Sequence, residues 1–192
     1  APKAVKEQRH GIAGGFFMWK VGGARAAKGG SLDDVIASAQ NVVNRTKSIC
    51  VGLEPCVIPA LGHSNFKIED GTMEFGVGHH GEAGTKVEKL KSASEMAQEM
   101  AETILNDFDF EEGKEVAVML SGLGATPVME LYVLYDEVEK VLAKAGHKVW
   151  KTYIGNYVTS LDMNGASLTI VDLDDEIKEL LSEPAVPIGM KN

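Results

Sequence analysis

Cys50 and Cys56 are the only thiols in this chain of 192 residues. Two cysteines do not make a disulfide framework, and their six-residue separation lacks the spacing and further ligands of a structural metal site. They read as buried or loop thiols in a reduced, cytoplasmic setting. No run of about 18 apolar residues occurs, so no transmembrane helix is expected. No secretory leader is expected either, because the basic residues at the start run into Glu7, Gln8, Arg9 and His10 instead of an apolar stretch. Positive charge is scarce. Lys and Arg total 19 against 28 Asp and Glu, a formal net charge of -9. That balance argues against nucleic acid and against an anionic membrane surface as partners. The chain also lacks internal repeats, low-complexity tracts and linkers, so one domain is expected. A Walker lysine loop, a full Gly-x-Gly-x-x-Gly fingerprint and a nucleophile elbow are all missing.

What is present is a hydrophobic content of 44%, enough in a chain of this length for one sizeable core. Apolar residues at helical intervals predict a buried helix beginning near Gly11 and stopped by Gly29-Gly30. Ser31 is placed to cap a second helix running to about Lys47, with Asp33 and Asp34 favouring its dipole and Leu32, Val35, Ile36, Ala39, Val42 and Val43 as apolar positions. Strands are expected over 48–53, 115–120, 149–154 and 166–171. A hairpin of 66–68 with 72–77 is expected about Glu69-Asp70-Gly71. Further helices are expected over 94–105, from Thr126 as N-cap to about Ala143, and from near Asp174 to before Pro184. Met96, Met100, Met119 and Met129 read as core, and His10, His63 and His147 as surface residues. Alternating helices and short strands make this an α/β chain.

The densest chemistry lies in Gly76-Val77-Gly78-His79-His80-Gly81-Glu82-Ala83-Gly84. Glycine permits positive φ and close approach of a ligand. Histidine serves as base, nucleophile or metal ligand near neutral pH. The alternative is a glycine hairpin with solvated histidines. Two weaker candidates follow later strands. Ser121 to Thr126 precedes a helix N-terminus, a place for an anion or simply a tight turn. Gly155 to Gly165 carries hydroxyls and Asp162, either for a Ser160–His80–Asp162 triad or for ordinary loop capping.

Three segments together resemble a known family. Met73-Glu74-Phe75-Gly76-Val77-Gly78-His79-His80-Gly81-Glu82-Ala83-Gly84 resembles the active-site segment of the substrate-binding subunit of dihydroxyacetone (glycerone) kinases, with its core Gly-Ile-His-Gly-Glu-Pro-Gly. Leu123-Gly124-Ala125-Thr126-Pro127-Val128-Met129-Glu130-Leu131-Tyr132 is similar to its Leu-Gly-x-Thr-Pro-x-x-Glu-Leu-Tyr segment. Gly155-Asn156-Tyr157-Val158-Thr159-Ser160-Leu161-Asp162-Met163 is similar to its Gly-x-Tyr-x-Thr-Ser-Leu-Asp-Met. The resemblance implies a single α/β domain with a mixed β-sheet flanked by helices, the second subdomain of that subunit. The family's amino-terminal subdomain, which supplies an aspartate base and a further pocket histidine, has no counterpart in residues 1–192.

The resemblance implies that His80 holds dihydroxyacetone as a covalent hemiaminal for phosphoryl transfer, within a substrate site of Gly78, His79, His80, Gly81 and Glu82 and without a metal. It places no cofactor on this chain. Mg-ATP or Mg-ADP is expected on a separate nucleotide-binding kinase subunit, and a homodimer is an allowed assembly because the family commonly dimerises. Alone, the chain is expected to turn over little. His79 departs from the family's Ile and Ala83 from its Pro. A rival implication is a non-catalytic ketose-binding co-regulator of transcription.

Overall fold

The computed structural model describes residues 9, 11–64, 66–80, 82–107 and 113–185. The first two described elements are packed helices, α1 (Gly15–Ala27) and α2 (Leu32–Asn44). Ser31 caps α2 as expected. Its hydroxyl accepts from the Asp34 amide at 3.2 Å, and the Asp34 carboxylate accepts from the Ser31 amide at 2.9 Å, so two orphan donors are satisfied reciprocally. The expected apolar stripe of α2 divides. Val42 is buried, whereas Leu32, Ile36 and Val43 face solvent, because α2 packs on α1 and α5 and not on the sheet.

Six strands follow: β1 (Thr46–Glu54), β2 (Thr72–Phe75), β3 (Lys86–Lys89), β4 (Glu115–Gly122), β5 (Lys148–Gly155) and β6 (Asn164–Asp172). They form one sheet in the order β3-β2-β1-β6-β4-β5. Every neighbouring pair is antiparallel except β4 and β5. That parallel pair needs a crossover, which α4 (Val128–Lys144) supplies. The sheet is therefore mixed. β4 is buried on both faces, which explains its continuous apolar run.

The expected hairpin of 66–68 with 72–77 is not formed. Glu69-Asp70-Gly71 is a turn, with the Thr72 amide donating to the Glu69 carbonyl at 3.0 Å. β2 pairs instead with β1 and with β3, and it stops at Phe75 because Gly76 takes φ +81°. β3 was not expected. Its sequence, Lys86-Val87-Glu88-Lys89, is that of an exposed, charge-protected sheet edge and carries no buried pattern.

Helices cover both faces. α3 (Ala93–Asp107) and α4 enclose Met73, Phe75, Val118, Leu120 and Leu168 on one side. α1 and α5 (Asp175–Ser182) enclose Phe17, Val21, Met119, Val171 and Ile177 on the other. Met96, Met100 and Met119 are core residues, but Met129 is 74% exposed on α4. His147 is buried at the entry to β5, contrary to its reading as a surface residue; His63 is exposed, and His10 lies outside the described residues. No helix among the described residues is long and apolar enough to cross a membrane.

Candidate functional site

The three motif segments meet over one apolar cluster, formed by Cys50, Cys56, Val77, Leu123 and Met163, with Ile12 and Phe66 packed against it. Backbone bonds hold the loops together. Ala125 donates to the Met163 carbonyl at 3.1 Å and Ser160 to the Leu123 carbonyl at 2.7 Å. The Asp162 carboxylate accepts from the Val57 amide at 2.7 Å, joining the loop after β5 to the loop after β1.

Two of these loops bond chiefly to each other. The buried Ser121 hydroxyl accepts from the Tyr157 and Val158 amides at 3.0 and 3.1 Å. The Thr126 hydroxyl accepts from the Gly165 amide at 2.8 Å and donates toward the Gly165 carbonyl and Asn164 Oδ1. Thr126 is therefore not the helix cap expected of it; α4 begins after Pro127 with no side-chain cap. Gly124 takes φ +133°, and a Cβ there would overlap the Leu161 carbonyl. Leu161 itself holds φ +53°, which costs a non-glycine residue about 1–2 kcal/mol and is fixed by this packing. The 121–126 segment is thus a tight strand-to-helix turn. His80 and Asp162 each bond elsewhere, so the Ser160–His80–Asp162 triad has neither of its hydrogen bonds among the described residues.

The loop after β2 is different. Val77 anchors it in the apolar cluster, and Gly78 donates to the Glu82 carbonyl at 2.8 Å, closing a tight turn. A Cβ at Gly78 would overlap the Glu82 carboxylate, so only glycine lets that side chain fold back. Glu82 Oε2 accepts from the His80 amide at 2.9 Å, and Oε1 lies 3.0 Å from His80 Nδ1. The His80 side chain is 70% exposed. The His79 ring lies beside it, centroids 3.8 Å apart and planes tilted by 40°. Gly81 falls outside the described residues.

The electrostatics follow from this geometry. Burial pushes the Glu82 carboxyl up, but hydrogen bonds from its own amide and from the His80 ring and amide outweigh it, so its pKa falls below the usual value and it stays ionised at neutral pH. An ionised carboxylate is acceptor-only, so a neutral His80 carries its proton on Nδ1 and its lone pair on Nε2. Burial, then the neighbouring His80, holds His79 below the ordinary histidine value and so neutral. Beneath the loop, burial pushes the Cys50 thiol up to about 12, which makes it packing and not a nucleophile. The arrangement presents one largely exposed imidazole, hydrogen-bonded at Nδ1 to an ionised carboxylate.

Supports that the sequence reading missed lie on the strand itself. Glu74 Oε1 accepts from the Gly84 amide at 2.5 Å, and the Phe75 carbonyl accepts from the Thr85 amide and hydroxyl. An acidic residue between the buried Met73 and Phe75 was the available signal. Among the described residues no group of three or more His, Cys, Asp or Glu side chains is placed to hold a metal ion.

A family model described as the Dak1 domain matches residues 1–188. The dihydroxyacetone-binding subunit of PTS-dependent dihydroxyacetone kinase 1 from Listeria innocua is 40% identical over 168 residues, covering 88% of this chain and 51% of that protein. D-erythrulose kinase from Mycolicibacterium smegmatis is 35% identical over 185 residues, covering 96% of this chain and 32% of that protein. Among solved structures, the dihydroxyacetone kinase operon co-activator Dha-DhaQ superposes with a TM-score of 0.86 at 30% identity, over 92% of this chain and 56% of its own. The chain therefore spans about half the length of the dihydroxyacetone-binding subunit it matches.

Proposed function

This chain belongs to the Dak1 domain family, and from that premise we propose that it is the ketone-capturing part, the second subdomain, of a dihydroxyacetone kinase substrate-binding subunit. His80 Nε2 adds to the carbonyl carbon of dihydroxyacetone or a related short ketose. The N–C bond forms as the C=O π pair moves to oxygen. The oxygen takes a proton from water, and Nδ1 passes its own through Glu82 back to water, so no net proton is consumed and a neutral hemiaminal and an ionised Glu82 remain. Gly78 shapes the loop, His79 and Glu82 lie beside His80, and Glu82 fixes the tautomer.

Capture selects ketones and aldehydes over polyols such as glycerol, because only a carbonyl accepts the lone pair. It also holds the terminal hydroxyl for phosphoryl transfer, which gives dihydroxyacetone phosphate. The single observation that carries this reading is the carboxylate of Glu82 on His80 Nδ1 at 3.0 Å, on a side chain that is 70% exposed.

The phosphoryl donor, Mg-ATP or Mg-ADP, belongs to a separate nucleotide-binding kinase subunit, and the remaining pocket groups belong to an amino-terminal subdomain. The chain works in the cytoplasm, where its two buried thiols stay reduced.

A second reading is favoured by the likeness to the operon co-activator: the same capture serves a ketose-binding co-regulator that performs no transfer. Intact-mass spectrometry with borohydride trapping tests capture, using wild type, His80→Ala and His79→Ala, with a full-length relative as positive control. A triose-sized adduct lost in His80→Ala and reduced but present in His79→Ala is the expected result. No adduct on this chain where the relative gives one would overturn capture by this part alone. With capture established, addition of a nucleotide-loaded kinase subunit separates the two readings, since only the enzyme reading yields phosphorylated ketone.

A further inference from the structure

Resting on the capture reading of His80, we infer that His79 is a positioning residue, whose imidazole braces the face of the His80 ring and holds Nε2 toward the incoming carbonyl carbon. Glu82 supplies one hydrogen bond to that ring, at Nδ1. That bond and the covalent tether at Cβ still let the ring swing together with the partly exposed carboxylate that holds it. A second ring lying 3.8 Å away, tilted by 40°, removes that freedom by fixing the plane. Among the described residues of this turn, no other ring lies against that of His80. The residue before His79 is Gly78, and Val77 points down into the apolar cluster.

The two imidazoles are not equivalent. His80 is the exposed ring, whereas His79 beside it is half-buried. Burial and the neighbouring His80 both favour a neutral His79, and a neutral ring packs on its neighbour without the repulsion two imidazolium ions would feel. Covalent chemistry stays with His80. His79 acts through it, by narrowing the directions in which Nε2 points, and misorientation of a reacting group by about an ångström costs as much as 10²-fold.

The test uses the whole chain, isotopically labelled, as wild type, His79→Ala and His79→Phe. Long-range proton–nitrogen NMR of the imidazoles, recorded first without ketone, reports the His80 tautomer and ring environment. Titration with carbonyl-labelled dihydroxyacetone then reports capture, and melting curves confirm that each variant is folded. The wild type is expected to show one fixed Nδ1–H pattern for His80. His79→Ala should average that pattern and weaken capture about tenfold. His79→Phe restores a flat ring that neither titrates nor bonds, and should return both readouts to within about twofold of wild type. A wild-type His80 pattern and capture in His79→Ala would overturn the inference, as would a folded His79→Phe that behaves like His79→Ala. A fixed pattern that His79→Ala loses, on a chain that captures no ketone at all, would uphold the brace and overturn the capture reading instead.

Discussion

Two glycine-rich loops lie against the same apolar cluster, and they do opposite things. In the turn 122–127, Thr126 and the neighbouring Ser121 have their hydroxyls engaged by backbone groups of the facing segments. Its glycine at 124 exists to let one backbone approach another. In the loop 76–84, glycine at 78 frees a carboxylate to fold back onto a histidine, and that histidine projects outward. Glycine density is the same signal in both. The difference is whether the polar groups end inside the protein or at its surface, which decides scaffold or site.

The comparison breaks most sharply at His80. His80→Ala should abolish ketone capture while leaving the melting temperature within about 2 °C, since an exposed side chain with one solvent-facing hydrogen bond changes stability by about 0.5 kcal/mol. Gly124→Ala should do the reverse. It places a Cβ on the Leu161 carbonyl at a positive φ, so chemical denaturation should show a loss of about 3 kcal/mol or more. A midpoint unchanged from wild type would mean that the two segments do not touch. Thr126→Val leaves the buried Gly165 amide without its acceptor and should cost about 2 kcal/mol in the same assay. Glu82→Gln keeps an acceptor at Nδ1 but removes the charge through which Nδ1 loses its proton, so capture should weaken by about tenfold or more at unchanged stability.

The smallest effect concerns protonation. His79 should titrate below 6.5 by proton NMR, and His80→Ala should move its midpoint part of the way back, burial remaining. Because the folded state holds His79 below its unfolded value, the unfolded chain binds the extra proton. This group's contribution to stability is therefore present above the unfolded value and declines as pH falls through it. An unmoved midpoint in His80→Ala would remove His80 as a cause.

Much of this was legible in the sequence, for reasons that differ by element. The cap at Ser31 and the helices after it depend on local pattern, and they formed. The continuous apolar run at 116–120 marked a strand buried on both faces. β3 was not legible because an edge strand needs no buried residue, and Lys86 and Lys89 protect it by charge. Phe66 to Ile68 looks like a strand, yet β2 finds its partners in β1 and β3. Burial of His147 and exposure of Met129 were set by packing between elements, which periodicity does not carry. At the site, the residue types His80 and Glu82 were visible as a motif. That Glu82 reaches back two residues to Nδ1, that Glu74 ties Gly84, and that Thr126 serves β6 instead of α4 needed the fold.

The most direct measurement is carbon NMR of dihydroxyacetone labelled at its carbonyl carbon, mixed with this chain, with His80→Ala and with a full-length relative. The account predicts a protein-bound tetrahedral carbon signal on the wild-type chain, none with His80→Ala, and none when labelled glycerol replaces the ketone. A signal that survives in His80→Ala, or its absence on the wild-type chain while the relative shows it, would contradict capture by His80 of this chain.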